Sequence, residues 1–243
     1  MTIRYEANPP KILPDVDLEE SITKFIDKIK IISKNCDAIH LTENVLGYER
    51  ISPLELGAKI KKELPNLPIT VSLRVINRTE NEIQEFVNKA IENKFSGILV
   101  LMGDPSKTEK KTPGLVPSSV VKKLREQNYD SKIDLYLSIP NNPNFSKITK
   151  KIDAKPKGFI TQVIQNTDQV QRLADNLKEF SLIPIVLFPS EKNQKSADFL
   201  NLDLTEYRDS FAEFLDKIKS ITGDVLITSP SDFTGLKEFL EKN

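Results

Sequence analysis

The chain has one cysteine, one histidine, eight glycines and no tryptophan in its 243 residues. A lone cysteine, Cys36, closes no internal disulfide, and a thiolate metal site needs several such ligands, so a disulfide scaffold and a cysteine-bound zinc are both excluded. His40 has no second histidine with which to share a metal and reads as a strand residue with a satisfied side chain. The few glycines form neither a Gly-x-Gly-x-x-Gly turn nor a Walker lysine loop, which speaks against a Rossmann or P-loop enzyme. Charge of one sign is missing as well. The 35 basic residues balance 35 acidic ones and mix with them along helical faces, leaving no footprint for nucleic acid or anionic lipid. The short run Lys107–Lys111 reads as a solvated loop, with a phosphate clamp as its alternative. No stretch approaches the roughly 20 apolar residues of a membrane span, and the first ten residues carry no apolar signal core. The expectation is a cytoplasmic protein, away from membranes.

What the chain does contain is alternation. Short β-branched runs recur along its length, each followed by a longer stretch with apolar residues three and four apart. The strands are expected at Ile3–Asn8, Ala38–Glu43, Ile69–Val75, Gly97–Gly103, Ile133–Pro140, Gly158–Ile164, Ile183–Pro189 and Asp224–Ser229. Helix starts fall between them: Ser52-Pro53 opens the second helix, Thr79-Glu80 the third, and Asn166 precedes the sixth. In the third, Ile83, Phe86, Val87, Ala90 and Ile91 share one stripe, as a helix packed outside a sheet requires. Eight strands alternating with eight helices predict an α/β protein of the (β/α)8 TIM barrel class, one domain over residues 1–243. An open doubly wound sheet is the alternative, disfavoured by the strand count and by the missing glycine-rich first loop.

β/α barrels build their sites at the C-terminal ends of the strands. Those ends carry Glu6 and Asn8 before Pro9-Pro10, Thr42 and Glu43, Gly103-Asp104, Ser138 with Asn141-Asn142, and Thr161-Gln162. Each has a bland reading too: Glu6 as an ion-pair partner, Asp104 as a turn cap before Pro105, Gln162 as a satisfied interior amide, Thr42 as an ordinary strand residue.

Taken in order, these ends resemble the methylenetetrahydrofolate reductase family. A glutamate followed after two residues by two prolines is the family's first-strand pattern, met here by Glu6 and Pro9-Pro10. Gly103-Asp104 matches its fourth strand, Ile160-Thr161-Gln162 its sixth, and Thr42 falls where the second strand carries a threonine. Lys151 matches a lysine in the segment leading to the sixth strand. The resemblance spans about residues 3 to 190. It implies reduction of a methylene-tetrahydropterin one-carbon carrier to the methyl form, with FAD passing on a hydride from NAD(P)H. On that reading Glu6 protonates the amine that leaves when the carrier's ring opens, and Asp104 stabilises the resulting cation and tunes the flavin. Gln162 and Thr42 bind the pterin, while Asp104, Lys151, Ser72 and Asn142 fall at cofactor positions.

The cofactor side departs from the family. Ser72 stands where a strand-three histidine is usual, Met102 where an arginine precedes Gly-Asp, and Ile139–Pro143 keeps neither the tyrosine, the glutamate nor the histidine of the family segment. Neutral side chains do not replace those charges, although Arg74 and Lys107 can supply substitutes. Two function classes therefore stand side by side: a divergent flavin-dependent reductase, and a flavin-free carrier-binding or methyl-transfer protein working as a homo-oligomer or with a partner subunit. A barrel enzyme of other chemistry that shares only the short motifs is the third.

Overall fold

The computed structural model describes residues 2–103 and 114–243. Eight parallel strands close a barrel in chain order: β1 (Thr2–Ala7), β2 (Ala38–Leu41), β3 (Ile69–Arg74), β4 (Gly97–Leu101), β5 (Asp134–Ile139), β6 (Gly158–Val163), β7 (Ser181–Leu187) and β8 (Asp224–Thr228). β1 pairs with β8 through Thr2 to Glu6, which closes the sheet on itself. All eight expected strands are present, within two residues at their starts and two at their ends.

Strand alternation divides the side chains. On β3, Ile69, Val71 and Leu73 join the large core between sheet and helices, while Thr70 and Ser72 belong to the other parity and face the interior. That interior is two-sided. Leu99, Tyr136, Ile160, Ile183 and Leu226 form an apolar cluster inside the β4–β8 half, whereas β1 to β3 contribute Arg4, Glu6, His40, Thr70 and Ser72. Gly158 lets β6 approach β7: a Cβ there would lie 2.2 Å from the Ser181 carbonyl oxygen.

The helices are α1 (Leu18–Ile32), α2 (Pro53–Glu63), α3 (Glu80–Glu92), α4 (Pro117–Glu126), α5 (Thr149–Asp153), α6 (Thr167–Asn176), α7 (Gln194–Phe199), α8 (Phe211–Thr222) and α9 (Phe233–Lys242). Thr79 and Glu82 make a reciprocal capping box at α3, and Asn166 accepts from the Gln169 amide at α6. Among the described residues strict alternation fails once. Between β7 and β8 the chain makes two helices, because Asn201 turns into the left-handed region (φ 51°) and Asp203 then accepts from the Thr205 amide. Both are asparagine-type turn devices that stop α7 without glycine or proline.

Candidate active site

The strand ends open into a cavity of about 980 Å³. Its walls inherit the two-sided interior. One is polar, from Glu6, His40, Ser72 and Thr228; the facing one is apolar, from Leu99, Leu101, Ile185 and Leu187. Such a cavity suits a flat ring with apolar faces and a polar edge.

Glu6 lies beside His40 in the β1–β2 register and beside Thr228 in the β1–β8 register. Burial pushes its carboxyl above the usual range, opposed by a hydrogen bond from Thr228. One residue pair further up, Thr42 donates to Asn8 Oδ1 at 2.7 Å, so both expected strand-end polar groups line the mouth already paired. Glu43 accepts from the Arg74 amide at 2.7 Å and from Arg78 Nη2 at 2.6 Å. Burial raises its pKa, with Arg78 acting in the opposite sense. His40 is held between two hydroxyls, Nδ1 at 2.9 Å from Thr70 Oγ1 and Nε2 at 3.0 Å from Ser72 Oγ. Burial first, and the Arg4 charge second, lower its pKa to about 3.

Gln162 shares the inward parity of Ile160 and is exposed to the cavity and solvent. Around it the β6–β7 register shifts between Ile160 and Val163, and buried Thr161 accepts at Oγ1 from the Ile185 amide at 3.0 Å where the ladder is interrupted.

Glu6, Thr42, Ser72 and Gln162 thus share one mouth. Lys151 and Asn142 are not in its lining. Lys151 Nζ donates to the Ser138 carbonyl oxygen at 2.5 Å, and burial lowers its pKa. Asn142 is exposed and bonded to Arg172, while its neighbour Asn141 lines the cavity and donates to the Val163 carbonyl at 2.7 Å. Of this adjacent pair, Asn141 is the one whose side chain faces the cavity. Ser72 does line the cavity, with its hydroxyl bonded to His40. Asp104 and Lys107 lie outside the described residues. Arg74 is buried and packed against Gly103, where φ is 86° and a Cβ would lie 2.5 Å from Arg74 Nε, so only glycine fits there. The strand-end reading includes Asn141 without giving it a role, and nothing in the sequence marks His40, Lys195 or Phe199 as lining the mouth.

The profile of the family described as methylenetetrahydrofolate reductase matches residues 1–220. The chain belongs to the methylenetetrahydrofolate reductase family. Among solved structures, a protein from Clostridium thermocellum that binds two copies of 5-methyl-5,6,7,8-tetrahydrofolic acid superposes with a TM-score of 0.64 at 17% identity, covering all of this chain and 96% of that one. A 2,3-dimethylmalate lyase of the PEP mutase/isocitrate lyase superfamily gives 0.59 at 9% identity over 99% and 78% of the two chains. An oxaloacetate acetylhydrolase gives 0.60 at 8% over 100% and 80%. At such identities these likenesses establish the barrel alone. No curated protein matches in sequence.

FAD is the family's usual cofactor, and its pyrophosphate calls for cationic or amide donors. The described lining offers one ammonium, Lys195, and side-chain amides at Asn8, Asn141, Gln162 and Gln165, against the carboxyls of Glu6 and Glu43. Among the described residues these are the groups that could meet a pyrophosphate. Among the described residues no cluster of His, Cys, Asp and Glu can hold a metal ion, and no helix is long and apolar enough to cross a membrane.

Proposed function

We propose that the chain binds a tetrahydrofolate-type one-carbon carrier in the barrel mouth, with Glu6 supplying a proton or a hydrogen bond to a carrier nitrogen. The observation that carries this reading is the placement of Glu6: a carboxyl kept toward its neutral form by burial, opening on a cavity that also receives Gln162. A protonated carboxyl donates where a carboxylate only accepts, and a reduced pterin presents basic nitrogens. The apolar wall of Leu99, Leu101, Ile185 and Leu187 gives the ring a face to lie on, and Gln162 has the donor and acceptor to read its edge. Family membership and the ligand of the Clostridium thermocellum protein support the same class of molecule.

The test is calorimetric titration of the purified chain with 5-methyltetrahydrofolate. Saturable binding that weakens in Glu6→Gln and Gln162→Ala is the expected result. Absence of binding at millimolar ligand, or variants that bind like the parent, would reject the proposal.

The buried acid also favours a second, catalytic reading. In a methylene carrier the bridging C–N bond breaks with its electron pair moving to nitrogen; Glu6 delivers the proton that nitrogen needs, and the carbon is left as an iminium ready for hydride. The hydride on this reading comes from NAD(P)H, directly or by way of a flavin held at the mouth. Oxidation of NAD(P)H dependent on methylenetetrahydrofolate, measured with and without added FAD or FMN, separates a reductase from a carrier-binding protein.

A further inference from the structure

The imidazole of His40 bridges two hydroxyls of one strand. Thr70 and Ser72 are two residues apart on β3, about 6.6 Å along it and on the same face, and the His40 ring spans that gap with a nitrogen near each oxygen. All three side chains are buried, and Thr70 lies off the cavity, so its proton needs a partner within the protein.

The proton count decides the ring's tautomer. Thr70 Oγ1 lies 3.4 Å from the Ile39 carbonyl oxygen, which can only accept. If Thr70 donates there, it accepts from Nδ1–H; Nε2 is then bare and accepts from Ser72. This order uses every proton. The reverse order, with Thr70 donating to Nδ1 and Nε2–H donating to Ser72, forfeits the bond to Ile39 and leaves the Ser72 proton with no acceptor among the described residues. A doubly protonated ring is opposed by burial and by Arg4 beneath it.

We infer that His40 and Ser72 form a binding subsite of fixed polarity at the floor of the cavity, where Ser72 Oγ, its one proton committed to His40, offers only lone pairs and takes an N–H or amine donor from the ligand. The inference rests on the proposed pterin reading for the identity of that ligand, whose amine-bearing edge is such a donor. A ligand presenting a carbonyl or carboxylate at this point meets lone pairs and is refused. Although a serine on a histidine nitrogen also resembles an activated nucleophile, that role would turn the ring into an imidazolium, which the Arg4 charge and burial oppose. His40 is a positioning residue here.

The chain's single histidine makes the test clean. Nitrogen NMR of the full chain labelled in histidine is expected to show a protonated Nδ1 and a bare Nε2, unchanged between pH 8 and pH 5. A protonated Nε2, or titration near pH 6, would overturn the inference. On addition of 5-methyltetrahydrofolate the Nε2 resonance should move, and Ser72→Ala should weaken binding about tenfold; an unmoved resonance together with unchanged affinity refutes the ligand contact. Thr70→Val removes the acceptor for Nδ1–H and should transfer the proton to Nε2, whereas an unchanged spectrum would show that Thr70 does not set the polarity. A parent chain that shows the Nδ1–H ring yet binds no 5-methyltetrahydrofolate sinks the functional reading while leaving the acceptor polarity of Ser72 standing, so the two failures are told apart.

Discussion

Arg4 lies bidentate on Asp224 inside the barrel, Nη2 2.7 Å from Oδ2 and Nε 2.8 Å from Oδ1, one inward position below Glu6 on β1. The side chains are 13% and 17% exposed, so each charge relies on the other far more than on water. This pair sits toward the N-terminal end of the strands, where polar contacts serve stability rather than chemistry. Asp224→Ala should therefore cost about 3–5 kcal/mol by stranding the guanidinium. Replacing both partners at once, Arg4→Met with Asp224→Leu, should recover most of that loss. Guanidinium denaturation of the two variants checks this, and a double variant no better than the single would refute the argument.

Acid should destabilise the chain through His40. Its folded pKa, about 3, lies below the ordinary histidine value, so the unfolded chain binds the proton first. The stability it contributes is fully present above the unfolded pKa and is lost as pH falls toward the folded one. By pH 5 the loss is about 2 kcal/mol. Glu6 and Glu43 act in the opposite sense, their raised values favouring the fold as pH falls, so the His40 part is read from the difference between the parent and His40→Gln. Denaturation midpoints at pH 7 and pH 5 should diverge for the pair; a constant difference would mean that the ring protonates freely in the fold.

Glu6 makes the converse prediction. With a folded pKa raised by burial, its contribution is fully present below the unfolded carboxyl value and is lost as pH rises through the folded value. Glu6→Gln keeps the shape and an oxygen for the Thr228 hydroxyl while removing the ionisation. The variant should melt higher than the parent at pH 8 and match it at pH 4. If the catalytic reading holds, turnover of a methylene carrier falls about 100-fold or more in the same variant. A parent and variant with parallel melting curves from pH 4 to pH 8 would show a Glu6 carboxyl of ordinary acidity.

The barrel was legible because its signals are local. A β-branched run and the capped amphipathic stretch after it lie within some thirty residues, and Thr79 with Glu82 announces a helix on its own. The mouth was legible only where a motif named a strand end, as with Glu6 and Gln162. His40 reads as a satisfied strand residue and makes two hydrogen bonds, but its partners lie 30 and 32 residues away and nothing local points to them. Asn141 and Asn142 are adjacent and chemically alike, so only the direction in which β5 leaves the barrel separates the one that lines the cavity from the one bonded to Arg172. The second helix between β7 and β8 was hidden for a related reason: α7 stops on a left-handed asparagine, a weaker mark than glycine or proline.

The bulge in β6 gives the Thr161 hydroxyl a backbone to hold. Between Ile160 and Val163 the ladder to β7 skips, and the amide of Ile185 finds the Thr161 hydroxyl in place of a backbone carbonyl. Thr161→Val keeps the volume and the β-branch but leaves that amide without its acceptor, at a cost of about 1–3 kcal/mol. Regular pairing would set Gln162 opposite Ile185, a residue of the barrel interior, so the aim of Gln162 into the mouth does not depend on the bulge. Affinity for 5-methyltetrahydrofolate should therefore fall in Gln162→Ala and hold in Thr161→Val. Stability moves the other way, because Gln162 is exposed and its truncation should leave the melting temperature where it was. A Thr161→Val chain that melts like the parent would show that the hydroxyl does not secure the Ile185 amide, and one that loses affinity as Gln162→Ala does would show that the bulge sets the aim of Gln162.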